Sequence, residues 1–464
     1  MTLHYPDYPD HINQLIEAAL AAADPATAVQ RHLHWNGRTL AIGQPIIHTH
    51  HPSDGRIYLI SVGKAAVPMA LAAAQTLGER LHAGVIIAKR GEHDWQSDIA
   101  GTLLEERRDD FPLYTASHPL SDEIGVQATT AVHDLLTATT AHDLVLCLIS
   151  GGASALLTQP ILPLSDWQQL TQALLKSGCT INELNRVRRQ LDRVKGGGLA
   201  QWAAPATCVA LILSDVVGSP LEAIGSGPTV HTTETLADAV SVLARYQVGN
   251  RLETAVWQRI IQTMHQMKEQ PIPEAAPAYN LIIGDVRQAA QAAQIKAAQL
   301  GFTPHLITAQ LEGEAREVGR VAAAIAKDTL PGHCYLLGGE TTVTVRGQGK
   351  GGRNQETALS AAIALQGVPN RVVASFASDG EDGPTPAAGA VVTGETVGNG
   401  RAYRLNPHTH LNQNDSYTYF QQLDTHNHAA SPENPPPTTL LHTGPTGTNV
   451  NDLIVILSYS NNEQ

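Results

Sequence analysis

Short apolar runs recur along this chain. Each closes on a glycine or polar loop, and an alanine-rich stretch with helical spacing follows. The alternation predicts an α/β fold with mostly parallel strands. In the first half the strands fall at Arg56–Gly63, Gly84–Ala88, Asp143–Ser150 and Thr207–Ser214. Helices are expected over Ile12–Gln30, Ala65–Arg80, Glu123–Thr137, Ser165–Lys176 and Ile181–Leu191. A second series starts at Tyr279–Val286 and continues through FTPHLIT, HCYLLGG, TTVTVR, RVVASFAS, TTLLHTG and DLIVILS. Between the series lies the charged, proline-rich segment Lys268–Pro277, so the domains are drawn as residues 1–265 and 266–464. The tract Asn406–Pro437 shows the weakest periodicity, and its ENPPP end reads as an exposed loop.

The length of 464 residues exceeds what one core usually organises. Aromatics make up only 4%, so Ala, Leu, Val and Ile must build the cores. A formal charge of −13 excludes nucleic acid and an anionic membrane as main partners. The first residues lack the basic start and apolar core of a secretory signal. No apolar run reaches the roughly 18 residues needed to span a bilayer. Cys147, Cys179, Cys208 and Cys334 show no CxxC spacing. A cytoplasmic protein with reduced thiols is expected. The histidines of HTHH (His48, His50, His51) and of the C-terminal region lack the two-sided spacing of a zinc site.

Candidate chemistry concentrates in glycine-rich turns. In Gly338–Ala362 a β-branched run ends in a loop carrying Lys350 and Arg353, and a helical pattern follows. Flexible backbone, cations and a helix N-terminus together suit phosphate groups. SVGKAA sets Gly63 and Lys64 at a strand-to-helix turn, although the spacing is not that of a Walker A loop. LISGGASALL offers Ser150, Gly151, Gly152 and Ser154 to an anion, with an ordinary βα turn as the alternative. In NELNRVRRQLDRVKGGGLA, Arg188 and Lys195 stand seven apart, hence on one helical face, with Asn185 one turn away. The glycine triplet after Lys195 favours substrate or phosphate binding over a solvated face.

Asp215 and Asp379 each follow an apolar strand directly. Asp379 and Asp382, in SDGEDG, suit Mg²⁺, which takes one or two carboxylates plus substrate phosphates. An Asx turn or helix N-cap is the other explanation. Gly347–Gly352 also satisfies GxGxxG. The alternating strand before it and the two cations suit a polyphosphate better than a nicotinamide cofactor.

These motifs together resemble the class II glycerate kinases, the glycerate 2-kinase family whose C-terminal half is called the MOFRL domain. The resemblance runs from about Asp10 to Leu457. It rests on SVGKA, SHPLSDE, SGGASALL, LNRVRRQLDRVKGGGLA, LSDVVGSPLEAIGSGPT, GGETTVTVRGQGKGGRNQE, ASDGEDGPT, NDSYTYF and TGPTGTNVNDL. It implies an N-terminal Rossmann-like, mostly parallel α/β domain, a C-terminal MOFRL-type α/β domain, and an active site in the cleft between them. The implied reaction moves the γ-phosphoryl of ATP to the 2-hydroxyl of D-glycerate, with Mg²⁺ or another divalent cation, in a monomer or homodimer. Lys64 matches the family's active-site lysine, and Asp215, Glu340, Arg353 and Asp379 match its polar cleft positions; Asn354 joins the binding set. Lys64 and Arg353 are expected to stabilise phosphoryl charge. Asp379 is expected to hold Mg²⁺ or accept the hydroxyl proton, with Asp215 as the alternative base. The turn before Lys64 departs from the family's usual Gly-Ala/Ser-Gly-Lys. Two other readings are an NAD(P)H-dependent hydroxypyruvate reductase and a non-catalytic sensor of an organic acid phosphate.

Overall fold

Five apolar runs of the first half, joined by the run expected to open the second series, line up as one six-stranded sheet: β1 (Ile57–Gly63), β2 (Leu81–Lys89), β3 (Leu113–Ala116), β4 (Leu144–Ile149), β5 (Thr207–Leu213) and β6 (Ala278–Gly284). This computed structural model describes residues 3–460 apart from 52, 54, 92–93, 268–275 and 434. Every residue of β1 and β4 is buried, as expected of strands covered on both faces. The order is β3-β2-β1-β4-β5-β6, and β1 pairs in parallel with both β2 and β4. That is the doubly wound order, whose direction of winding reverses between β1 and β4. A crevice opens outside the carboxyl ends of the strands at such a reversal.

The chain divides into two units, residues 25–283 and residues 1–24 with 284–464. This differs from a division at 265/266. The N-terminal helix Tyr8–Ala22 buries Ile12, Leu15, Ile16 and Ala19 and neighbours the helix Val286–Leu300, so it groups with the C-terminal half. The proline-rich segment expected to mark the boundary lies, through residue 275, outside the described residues.

The first unit holds two apolar clusters. One surrounds its sheet; the other joins the helices Leu164–Leu175, Ile181–Leu191, Leu236–Arg245 and Thr254–Met267. Thr180 opens the second of these helices with a capping box, exchanging hydrogen bonds with Glu183. A small antiparallel meander, Leu33–Trp35, Leu40–Ile42 and His48–His50, also belongs to this unit and was not foreseen.

The second unit's sheet comprises β7 (Thr303–Glu314), β8 (His333–Thr342), β9 (Arg371–Ala377), β10 (Gly389–Thr393), β11 (Leu440–Leu441) and β12 (Asp452–Ser458), in the order β7-β8-β12-β9-β10-β11. Among the described residues only β7 and β8 pair in parallel; the other pairings in this sheet are antiparallel. The expectation of mostly parallel strands therefore fails here, because the last strand inserts antiparallel between β8 and β9. TTVTVR is not a strand of its own: β8 takes its first two residues. The weakly periodic tract is largely helical, Pro407–Asn412 and Ser416–Ala430, since Tyr417, Tyr419, Phe420 and Leu423 join the core. Among the described residues no helix is long and apolar enough to cross a membrane.

The N-terminal helix should matter to stability although it lies far in sequence from its neighbours. Leu15 is 0% exposed. Leu15→Ala should cost about 2–5 kcal/mol, the usual range for truncating a buried leucine. Chemical denaturation checks this, and a loss below about 1 kcal/mol would show that the helix is only loosely attached.

Candidate active site

In the first unit the carboxyl ends of four parallel strands bring polar groups together. Lys64 follows β1, His118 lies just beyond β3, Ser150–Gly152 follow β4, and Asp215 follows β5. The turns after β1 and β4 are laced to each other. The Lys64 N–H donates to the Gly151 carbonyl at 2.8 Å, and the Ala65 N–H donates to Ser150 Oγ at 3.0 Å. Ser150 is therefore a structural member of the turn. A side chain on Gly151 would run into the Asp215 carboxylate, which locates that carboxylate directly over the turn. Gly152, at φ +86°, sits in left-handed space, and a Cβ there would lie 3.4 Å from both Lys64 Cγ and His118 Cδ2.

Charge in this pocket is unbalanced. Arg188 is 8% exposed, and among the described residues its guanidinium makes no hydrogen bond or ion pair. Burial pulls its pKa down to about 10, partly offset by Asp192 and Cys179. The Lys64 ammonium is likewise unpartnered. Burial pushes the Asp215 carboxyl up, and Lys64 pulls it down. His118, surrounded by Lys64, Lys89 and Arg188, is driven down to about 4, first by burial and then by those charges. His118 was not singled out from sequence, where it appeared only within SHPLSDE.

Lys195 and Asn185 are struts here rather than ligands. The helix ends at Leu191, so Lys195 does not share a helical face with Arg188. The Lys195 side chain is 0% exposed; its Nζ donates to the carbonyls of Ser154 (2.8 Å) and Leu157 (2.9 Å) and lies 3.7 Å from Asp192. Burial lowers its pKa to about 8. Asn185 Oδ1 accepts from Ser226 Oγ at 2.9 Å, and that hydroxyl also meets Ser154 Oγ at 2.8 Å. This chain of bonds fixes the short helix behind Gly152.

In the second unit the ends of β8 and β9 flank the start of β12, and Glu340, Asp379 and Asp452 gather there. Arg353 opens the helix Arg353–Leu365 and grips Asp452 with Nε at 2.5 Å and Nη2 at 2.8 Å, while Nη1 lies 3.2 Å from Glu340. Burial works against the Arg353 charge, yet Asp452 and Glu340 more than restore it, so the guanidinium is held protonated. Asp452 was missed in the sequence because it hides at the head of an apolar strand.

The glycine loop does not act as the expected anion cradle. Arg346 and Gly347 N–H groups both donate to Asn414 Oδ1, Gly349 N–H to the Gln413 carbonyl, and Lys350 N–H to Asp415 Oδ1. Gly347 and Gly349 are glycines because Gln413 and Asp415 leave no room for a Cβ. The Lys350 ammonium lies 4.7 Å from the centre of the Tyr417 ring. The helix N-terminus already carries its anion: Asp382, 0% exposed, accepts from the N–H groups of Asn354 (3.0 Å) and Gln355 (2.8 Å). Burial pushes its carboxyl up to about 7, against the pull of those amides. Asp382 is thus a cap and not a metal ligand. Asn354 is also internal, its Oδ1 accepting from Ser375 Oγ at 2.6 Å.

Asp379 remains open to a ligand. It is partly exposed, accepts from Glu381 N–H at 3.2 Å and Asn449 Nδ2 at 3.3 Å, and adjoins the loop Thr443–Asn449. Among the described residues no group of three or more His, Cys, Asp or Glu could by itself hold a metal ion. One open carboxylate still fits Mg²⁺ delivered with phosphates.

Two family descriptions cover most of the chain: a domain of unknown function (DUF4147) over residues 11–261 and the MOFRL family over residues 333–452. The D-glycerate 2-kinase of Thermotoga maritima is 40% identical over 409 residues, covering 86% of this chain and 90% of that one. The glycerate kinase of Rattus norvegicus is 35% identical over 503 residues, covering 97% and 92%. A crystal structure of a Thermotoga maritima glycerate kinase superposes with a TM-score of 0.80 at 36% identity, covering 97% of this chain and 99% of that one. The chain belongs to the glycerate 2-kinase family that carries a C-terminal MOFRL domain.

Lys195→Met separates strut from ligand. Leaving Asp192 buried without its cation should destabilise the protein by about 3–5 kcal/mol. Thermal or chemical unfolding reads this out. Unaltered stability with a raised KM for the substrate would return Lys195 to the binding set.

Proposed function

We propose that this chain is an ATP-dependent kinase that phosphorylates D-glycerate on its 2-hydroxyl, giving 2-phosphoglycerate and ADP. The observation that carries the reading is the buried guanidinium of Arg188, unpartnered among the described residues, which acts together with Lys64 on His118 near the carboxyl ends of a doubly wound sheet. Such a pocket calls for a small anion, and the relatives named above are kinases of a small hydroxy acid.

Arg188 receives the carboxylate, and Lys64 neutralises charge on the transferred phosphoryl group. Asp215, lying over Gly151, exchanges charge influence with Lys64 without pairing to it. In the second unit Arg353, fixed by Asp452 and Glu340, is a cation suited to a phosphate group, and Asp379 is the open carboxylate that would hold Mg²⁺. When bound, the cation screens phosphate charge. Phosphoryl transfer asks little covalent chemistry of the protein; orientation and charge neutralisation dominate. The partners are small molecules, and four free cysteines support a reducing, cytoplasmic setting.

A nicotinamide-dependent reductase is less well supported. The turn after β1 reads Gly63-Lys64-Ala65 without the glycine fingerprint, and the GxGxxG loop elsewhere has spent three of its six amides, those of Gly347, Gly349 and Lys350, on its own fold.

Phosphorus NMR of protein, Mg·ATP and D-glycerate should show 2-phosphoglycerate. Lys64→Ala should lower kcat by at least ~100-fold, and Arg188→Ala should raise the KM for D-glycerate by roughly 10–100-fold. No phosphorylated product, or oxidation of NADH by hydroxypyruvate, would overturn the assignment.

A further inference from the structure

We propose that His118 is a substrate-contacting base of the first-unit pocket, accepting the proton from the attacking hydroxyl of the hydroxy acid. The inference rests on the kinase reading and assigns a residue that neither the motifs nor the comparisons single out.

The geometry comes first. The imidazole edge, Cδ2 and Nε2, lies 3.4 and 3.7 Å from the point where a Cβ on Gly152 would stand, and Lys64 Cγ is 3.4 Å from the same point. Ring and lysine stem therefore border one space that only a glycine leaves open. Among the described residues the ring has no hydrogen-bond partner, although it is half-buried. His118 and Lys64 thus border one space with their polar ends unsatisfied, and the buried guanidinium of Arg188, also unpaired among the described residues, acts on the ring through its charge.

The chemistry follows from charge. Glycerate and a triphosphate are both anions, so a carboxylate base such as Asp215 would repel each of them. A neutral imidazole does not, and once protonated it adds a positive charge where negative charge is being moved. In the transfer the 2-hydroxyl oxygen forms the new bond to phosphorus. The bond from phosphorus to the β–γ bridging oxygen breaks, ADP leaves with that electron pair, and the hydroxyl proton passes to His118. Solvent later takes that proton.

The charged groups acting on the ring are Lys64, Lys89 and Arg188, all cationic, and together with burial they hold it neutral in the free protein down to about pH 4. Bound anions offset those cations, so the ring's pKa should climb back toward the ordinary histidine range near ~6.5. His118 must be neutral to accept a proton, so activity falls as pH drops. The fall in kcat, which reports the complex, should come at higher pH than the fall in kcat/KM, which reports the free protein.

The test compares the parent with His118→Gln and Asp215→Asn across pH. His118→Gln should fold, keep its KM for D-glycerate within about three-fold, and lose kcat about 100-fold. It should also lose the acidic fall in kcat, which Asp215→Asn keeps. A His118→Gln variant with near-parent kcat and the same fall overturns the inference while the parent still makes 2-phosphoglycerate. A parent that makes none overturns the kinase reading instead. Should His118→Gln not fold, carbethoxylation of the parent gives the answer: saturating D-glycerate blocks modification of His118, and an unchanged rate sinks the proposal.

Discussion

A guanidinium taken out of water without a counter-charge is among the costlier things a fold can contain, and Arg188 is one. Lys195 shows what the alternative looks like. Four residues beyond the helix end it is equally buried, yet it has two carbonyls and Asp192 around it. One cation is spent on structure and the other is left over. The leftover charge lies beside a second unpartnered cation, Lys64, and an imidazole forced to stay neutral. An anion entering the pocket would relieve all three at once, so affinity is stored in the unliganded protein.

Much of the first sheet was legible because buried parallel strands are written as unbroken apolar runs. β1, β4 and β5 fall within a residue of expectation, and the helix Ile181–Leu191 matches it. β3 escaped because it is four residues long and only its last is fully buried. The second sheet was harder for a different reason. Most of its strands could be found, although β10 was not among those expected, but which strands are neighbours is not a local property, and β12 comes from the chain's far end to separate β8 from β9. The helix Ser416–Ala430 was hidden by polar residues, although its aromatic positions are what anchor it.

Site residues were legible by type and less so by role. Lys64 and Arg188 keep polar ends that a ligand could take up. Asp382, Asn354 and Lys195 do not, since each is committed to neighbouring backbone or side chains. The glycine loop makes the point most clearly. Glycines admit a phosphate to the backbone, and they equally admit another stretch of the same chain. Asn414 and Asp415 occupy the amides that a phosphate would need, and beneath them Glu356 ties Asn414 to Arg316. The same residue pattern thus serves as a clamp that aims Arg353.

The strand order carries a further consequence. A doubly wound sheet of this order usually receives a dinucleotide on the glycine turn after β1, because backbone amides there meet the pyrophosphate. Here that turn is tied down: the Lys64 and Ala65 amides are spent on Gly151 and Ser150. What it offers instead is a side chain, the ammonium of Lys64. A row of amides suits an extended diphosphate, whereas an ammonium and a guanidinium that both act on one imidazole suit a compact anion with charge at two points. A hydroxy acid meeting a phosphoryl group has that shape, with the carboxylate at one end and the transferred group at the other. On the proposed reading, closing the backbone and offering side chains at the same reversal point would fit this sheet to the acceptor of a phosphoryl group rather than to a dinucleotide.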